Sequence, residues 1–264
     1  VLNITPDSFS DGGNFLSFDQ AVDHAGVMID EGADVIEIGG ESTRPGAKPV
    51  SAGDEIARVI PVITEIHRRW PGARLAIDTV KHEIAQASIA AGVSIVNDVS
   101  ALRLDADIAR VCAESDCTLV LMHSRGDVGD MASYAHAEYG DDVMNSIIAE
   151  LTPAVDEAMR AGVKSERIIL DPGLGFSKRG AQSVKALAHL PRLLDLGFEV
   201  MVGASRKRFI GELTGVNEPA GRVAGTIGVN VVALTLGATW FRVHDVRENR
   251  QALDAAAGIL GARS

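Results

Sequence analysis

A single (β/α)8 barrel is the fold this sequence predicts, on three observations. First, eight short apolar runs recur along it, at 1–3, 34–38, 74–78, 94–97, 117–122, 167–171, 198–203 and 239–243. They are continuous rather than alternating, which suits parallel strands buried on both faces. Second, segments of helical period separate them, for example at 19–31, 54–69, 82–91, 105–114 and 182–196. Third, the chain has 264 residues, and eight strand–helix units in roughly 250 residues is the usual size of such a barrel.

The punctuation agrees. EGADV, AAGVS and RAGVKSERI each set a glycine after a helical stretch and before a strand. That is the pattern of a helix C-cap followed by a short connection. A doubly wound sheet would more often show a phosphate-binding glycine fingerprint after its first strand. Here a long polar stretch, NITPDSFSDGG, occupies that place. One domain over 1–264 is expected, with a first strand that begins before Val1.

A hydrophobic content of 46% is enough for a large core. The net charge of −11 argues against nucleic acid or an anionic membrane surface as partner, because both call for a basic footprint. Cys112 and Cys117 show neither metal spacing nor a disulfide framework and read as small core residues in a reducing compartment. With no signal-peptide pattern and no bilayer-length apolar stretch, the expected location is the cytoplasm.

In a barrel of this kind, chemistry sits at the C-terminal ends of the strands. Those ends carry Asn3, then GGESTRPGA, Asp78, Asn97-Asp98, Met122-His123, Asp171 in DPGLGF, GASRKR and RVHD. Any one carboxylate there reads as the cap of the next helix. A polar group at nearly every strand end calls for a shared purpose. Asp78, Asn97 and Asp171 supply acceptors and Lys207 supplies donors, a set that matches a flat heterocycle with an amino-pyrimidinone edge. Phe176 and Met122 are available to its faces. Arg242 and His244, with Arg206 and Lys207 as companions, suit an anion, since barrel phosphate sites are often built after strands 7 and 8.

Taken together, NITPDSFSDGG, GGESTRPGA, IDT, VNDVS, DPGLGF, GASRKRFIG and RVHDV resemble the dihydropteroate synthase family, the pterin-binding enzymes of folate synthesis that sulfonamides inhibit. The resemblance runs from end to end. It implies that 4-aminobenzoate displaces diphosphate from (7,8-dihydropterin-6-yl)methyl diphosphate, with Mg²⁺ as cofactor. It assigns Asp78, Asn97, Met122, Asp171, Phe176, Gly203 and Lys207 to the pterin, and Asn3, Thr43, Arg44, Arg242 and His244 to the diphosphate. Asn3 is the expected metal ligand. Thr43, Pro45, Phe176, Ser205 and Lys207 fall to aminobenzoate. The opening stretch reads as a lid, with Phe9 over an aromatic substrate and Gly12 and Gly13 as bends.

Sulfonamide inhibitors and a second copy of the chain are the further partners implied. GTIGVNVVALTLGAT could supply the dimer face, but a buried barrel helix would look the same. Glu37, ahead of IGGESTRPG, departs from the aspartate expected there. A corrinoid-linked methyltransferase shares the pterin-reading barrel yet needs no diphosphate site, so STRPGA, SRK and RVHD count against it. A non-catalytic pterin-binding paralogue is disfavoured by the filled motif positions. A sulfonamide-insensitive resistance enzyme would be altered in its lid regions, and SFSDGG and STRPGA are ordinary there.

Overall fold

The computed structural model describes residues 1–4, 18–42, 46 and 50–262. All eight expected strands form: β1 (Leu2–Asn3), β2 (Val35–Gly39), β3 (Arg74–Asp78), β4 (Ile95–Asp98), β5 (Thr118–Met122), β6 (Ile168–Asp171), β7 (Glu199–Val202) and β8 (Trp240–Phe241). Each pairs in parallel with its neighbour in sequence order. The Val1 nitrogen donates to the Val243 carbonyl at 3.1 Å, joining the start of β1 to the chain after β8 and closing the barrel.

The helices are α1 (Phe18–Asp30), α2 (Ala52–Arg69), α3 (His82–Ala90), α4 (Asp107–Glu114), α5 (Val143–Ala161), α6 (Gly180–Ala188), α7 (Pro191–Leu194), α8 (Arg208–Thr214), α9 (Val223–Thr235) and α10 (Val246–Gly261). Local chemistry sets their ends. Ser51 and Asp142 cap α2 and α5 by accepting from the N–H groups of Asp54 (3.2 Å) and Asn145 (2.9 Å). Gly32, Gly92 and Gly162, the three glycines of the expected C-caps, take φ of +92°, +112° and +104°. The segment 182–196 reads as one helix by period but divides into α6 and α7. Pro191 has no N–H for the preceding turn and its ring crowds that turn, so it starts a new helix instead.

Apolar packing occurs on both sides of the strands. Ala76, Ile95, Val120, Ile169 and Met201 fill the barrel interior with Val35 and Trp240. The alternate residues, among them Ile36, Ile38, Leu75, Ile77, Leu119 and Leu170, pack in the core beneath the helices. Two buried faces explain why the runs are continuous. Cys112 and Cys117 are buried and unbridged, as expected, and burial pushes both thiols up from their usual range. No described helix is long and apolar enough to cross a membrane.

Above the apolar layer the interior turns polar. Register places Asp78 beside Gly39 on one strand and Asn97 on the other, and Met122 beside Asp171. Parallel strands starting at a common level deliver their last residues to a common mouth.

Candidate active site

The centre of the mouth is a partly buried charge cluster. Arg242 donates from Nε to Glu37 Oε1 at 2.6 Å and from Nη2 to Asp78 Oδ2 at 2.9 Å. Glu37 Oε2 in turn accepts from Asn97 Nδ2 at 3.0 Å. That bond decides which way the Asn97 amide faces, because its nitrogen is committed to Glu37. Asn97 Oδ1 is buried and has no partner among the described residues. An orphaned acceptor in such a place costs about 1–3 kcal/mol unless a ligand donor meets it.

Charge balance follows from this geometry. Burial pushes the Glu37 carboxyl up, but the Arg242 guanidinium and the Asn97 N–H overcome this and hold it below its usual value. Asp78 goes the other way. Burial and then the Glu37 charge raise it to about 7, against the pull of Arg242.

Asp171 stands on the opposite wall. Gly173 N–H donates to its Oδ1 at 2.7 Å, and burial raises its pKa. Gly173 adopts φ +65°, and a Cβ there would lie 1.9 Å from the His123 carbonyl oxygen, so the DPG turn needs glycine for conformation and for space. Lys207 donates to the Leu174 carbonyl and holds its ammonium 4.6 Å from the Phe176 ring centroid. Burial lowers its pKa to about 8. Met122 packs with Val80, Val99 and Met131, and Phe176 leans on that group. Gly203 follows β7, where a Cβ would make ordinary contact at 3.7 Å with Arg242 and with Asp171 Oδ2.

On the rim, Ser205 and His244 meet. Ser205 Oγ accepts from the His244 N–H at 3.2 Å and lies 3.0 Å from His244 Nδ1. Burial, with the neighbouring positive charges, lowers His244 to about 4, so its imidazole is neutral at pH 7. Arg206, grouped with the anion residues by its place in the sequence, forks onto Asp245 instead (Nε–Oδ2 3.0 Å). Asn3 is exposed at the end of β1, and its Oδ1 lies beside the bare backbone of Gly39. Phe9, Gly12, Gly13, Thr43, Arg44 and Pro45 lie outside the described residues.

The base of the β2–α2 loop is described. Lys81 Nζ reaches Glu41 Oε1 at 3.1 Å, the Val50 carbonyl at 2.8 Å and Glu55 Oε2 at 2.7 Å, joining both ends of the loop to α2. Asp98, unlike its neighbour Asn97, serves a turn, accepting from the Ser100 N–H at 2.8 Å. Strand-end reasoning named Asp78, Asn97, Asp171, Lys207, Met122, Phe176, Arg242 and His244, and the resemblance added Gly203 and Ser205; the structure places all ten at the strand ends or in the loops that follow them. Within this group, the Arg242 guanidinium is turned onto Glu37 and Asp78, a pairing the sequence did not announce. Strand-end reasoning also gave no role to Glu37; an acidic residue within an apolar strand was the available signal.

A barrel whose mouth presents inward acceptors beside a lysine and an aromatic ring is the architecture of a pterin-reading enzyme. The sequence agrees: residues 1–244 match the profile of the family described as "Pterin binding enzyme", and the chain belongs to that family. Its relatives there include the dihydropteroate synthase of Clostridium beijerinckii, 42% identical over 254 residues, covering 96% of this chain and 90% of that protein. Among solved structures, a Xanthomonas albilineans dihydropteroate synthase with 4-aminobenzoic acid superposes with a TM-score of 0.89 at 42% identity, covering 98% of this chain and 91% of that one. A Yersinia pestis dihydropteroate synthase in complex with a sulfonamide drug gives 0.90 at 38%, covering 98% and 92%.

The charge cluster makes a pH prediction. An unfolded Asp78 titrates near 3.8 and the folded one at about 7, so between these values only the folded chain keeps the proton. Its stabilising contribution is present at acid pH and fades as pH rises through this window. Replacing Glu37 with Gln removes the like charge. The Asp78 midpoint, read by carboxyl-carbon NMR, should fall well below that of the parent. The decline of stability across the window should become shallower.

Proposed function

We propose that this chain condenses (7,8-dihydropterin-6-yl)methyl diphosphate with 4-aminobenzoate to give 7,8-dihydropteroate and diphosphate. The observation that carries the reading is the Asn97 amide. Its oxygen is buried and unpartnered among the described residues, and its nitrogen is held by Glu37, which leaves that oxygen as a spare acceptor one register position from Asp78. The cyclic N–H and amino groups of a pterin supply donors to these acceptors and to Asp171, and its carbonyl accepts from Lys207. Met122 and Phe176 provide an apolar wall beside it.

In the condensation the arylamine nitrogen bonds to the pterin CH₂ carbon while the carbon–oxygen bond to diphosphate breaks, and the amine proton passes to solvent. An arylamine is neutral at pH 7, so the attack needs no strong base. Departure of diphosphate is the demanding part. Arg242 and His244 are the described groups assigned to it, His244 entering as a neutral hydrogen-bonding imidazole. The Asn3 amide oxygen, exposed beside Gly39, suits Mg²⁺, a hard cation that retains waters and is held largely by phosphate oxygens. Mg²⁺ when bound supplies positive charge toward the leaving group. Aminobenzoate falls to Ser205, Lys207 and Phe176.

The reading extends to assembly. Helix α9 is apolar along most of its length, packs against α10 and leaves Val232 49% exposed. We assign that face to a second copy of the chain.

Four experiments test these readings. A turnover assay with both substrates and Mg²⁺ should give dihydropteroate. Asp171→Asn, which swaps an acceptor for a partial donor, should weaken pterin binding by about tenfold or more in calorimetry; unchanged affinity in the folded variant removes Asp171 from the site. A sulfonamide, sharing the aniline end of aminobenzoate, should inhibit turnover and be relieved by rising aminobenzoate. Inhibition that ignores aminobenzoate refutes the shared pocket. Light scattering should give a dimer mass that Val232→Glu reduces to that of one chain.

A further inference from the structure

Lys178 is the largest side chain with almost no exposure, at 1%, and no step above uses it. Its Nζ lies 2.7 Å from His123 Nδ1, 3.1 Å from the Phe176 carbonyl, 3.2 Å from the Gly173 carbonyl and 3.4 Å from the His123 carbonyl. The three nearer acceptors match the three N–H groups of an ammonium. A neutral amine in this cage would turn its lone pair toward an acceptor.

His123 is held in turn. Its Nε2 lies 3.0 Å from Glu150 Oε2, and the same carboxylate accepts from Arg125 Nε at 3.0 Å. A carboxylate can only accept, so the His123 proton sits on Nε2 and Nδ1 offers its lone pair to Lys178. Burial and the Lys178 charge lower His123 to about 4, consistent with a neutral ring. Burial pushes Glu150 up, but its bonds to His123 and Arg125 bring it down to about 2. Burial also draws Lys178 well below its ordinary value, opposed by the charge of Asp171.

His123 follows β5, and the other residues tied by Lys178, Gly173 and Phe176, belong to the β6–α6 loop. Gly173 offers its carbonyl to Lys178 and its N–H to Asp171 Oδ1, so one short turn links the buried lysine to the carboxylate in the mouth. Phe176 offers its carbonyl to Lys178 while its ring faces Lys207. The adjacent Ser177, fully buried with φ +47°, fastens the loop to the β5–α5 connection. Its Oγ donates to the Arg125 carbonyl (2.8 Å) or the Met131 carbonyl (3.0 Å), and its N–H donates to the Met131 carbonyl at 2.8 Å.

We propose that Lys178 is a positioning residue for the condensation, its buried amino group tying His123, Gly173 and Phe176 together so that Asp171 and the Phe176 ring stand ready for the two substrates. The inference rests on the assignment of Asp171 to the pterin and Phe176 to aminobenzoate. It makes affinity for both ligands depend on a side chain that meets neither.

The test uses the full chain with Mg²⁺ and three sets of variants. Lys178→Met keeps length and loses the donors. His123→Asn keeps an acceptor where Nδ1 stands, whereas His123→Leu removes it. Ile66→Ala, in α2 and 0% exposed, is a cavity control whose loss of thermal stability serves as a reference. Calorimetry with 6-hydroxymethylpterin should show affinity weakened about tenfold by Lys178→Met, the scale of losing a buried hydrogen-bonded charge. The KM for aminobenzoate should rise with it. His123→Asn should stay closer to the parent than His123→Leu, and Ile66→Ala should lose stability with both constants unchanged.

Parent-like constants in folded Lys178→Met overturn the proposal, and so does an effect that Ile66→Ala reproduces at matched stability loss. If Lys178→Met does not fold, equal affinities of the two His123 variants overturn it. The outcomes separate from the assignment beneath. Should Asp171→Asn weaken pterin binding while Lys178→Met does not, only the positioning role fails. Should Asp171→Asn leave binding unchanged, the assignment itself fails.

Discussion

Arg242 wedged between Glu37 and Asp78 is the interaction on which the mouth of this barrel depends. A guanidinium partly withdrawn from water must recover its lost hydration from fixed partners, and Glu37 and Asp78 are those partners. Glu37 and Asp78 come from β2 and β3, and Arg242 follows directly on β8, so the pairing ties non-adjacent parts of the barrel above the apolar layer. Satisfying that charge also settles a neutral group. Glu37 has a second oxygen, Asn97 Nδ2 takes it, and the Asn97 oxygen is left without a partner among the described residues. On the proposed pterin role of Asn97, its amide is fixed before any ligand arrives, which lowers the ordering cost of binding.

The other wall is organised from behind. Asp171 ends β6, and Phe176 sits on the loop that follows it, which has little regular backbone pairing of its own and is defined only as well as its anchors allow. Here the anchors are buried: Ser177 and Lys178 reach into the connection after β5, and Gly173 passes close enough to His123 that no side chain fits between them. One half of the mouth is therefore held by charges in view of the substrate, and the other by a charge concealed from it. Lys81 does similar work at the base of the β2–α2 loop.

Outside the Glu37–Arg242 pair, where the partners prevail, burial sets the electrostatics of the site. Asp78 and Asp171 are raised, and Lys207 and His244 are lowered. Each shift brings the group nearer to neutrality, which suits a reaction whose nucleophile needs no deprotonation in advance. The charge that must be managed arrives with the diphosphate.

Much of this was legible in one dimension, for a definite reason. Continuous short apolar runs between helical stretches read as strands buried on both faces. Eight of them with intervening helices close into a barrel, and a parallel barrel carries every strand's last residues to the same mouth. Asp78, Asn97, Asp171 and Lys207 could therefore be grouped although far apart in the chain. The topology groups them, and the alternation of side chains along a strand turns Asp78, Asn97 and Asp171 inward, while Lys207 enters from the start of α8. Partner choice was not legible. Arg242 finds Glu37 across 205 positions, and Lys178, which the sequence reading did not single out, finds His123 across 55. Likewise Arg206 turns to Asp245, and Asp98 stays in its own turn while Asn97 faces the mouth. Long polar side chains settle these contests according to which acceptors lie within about 3 Å and which are shielded from water, and both conditions exist only once the chain has folded.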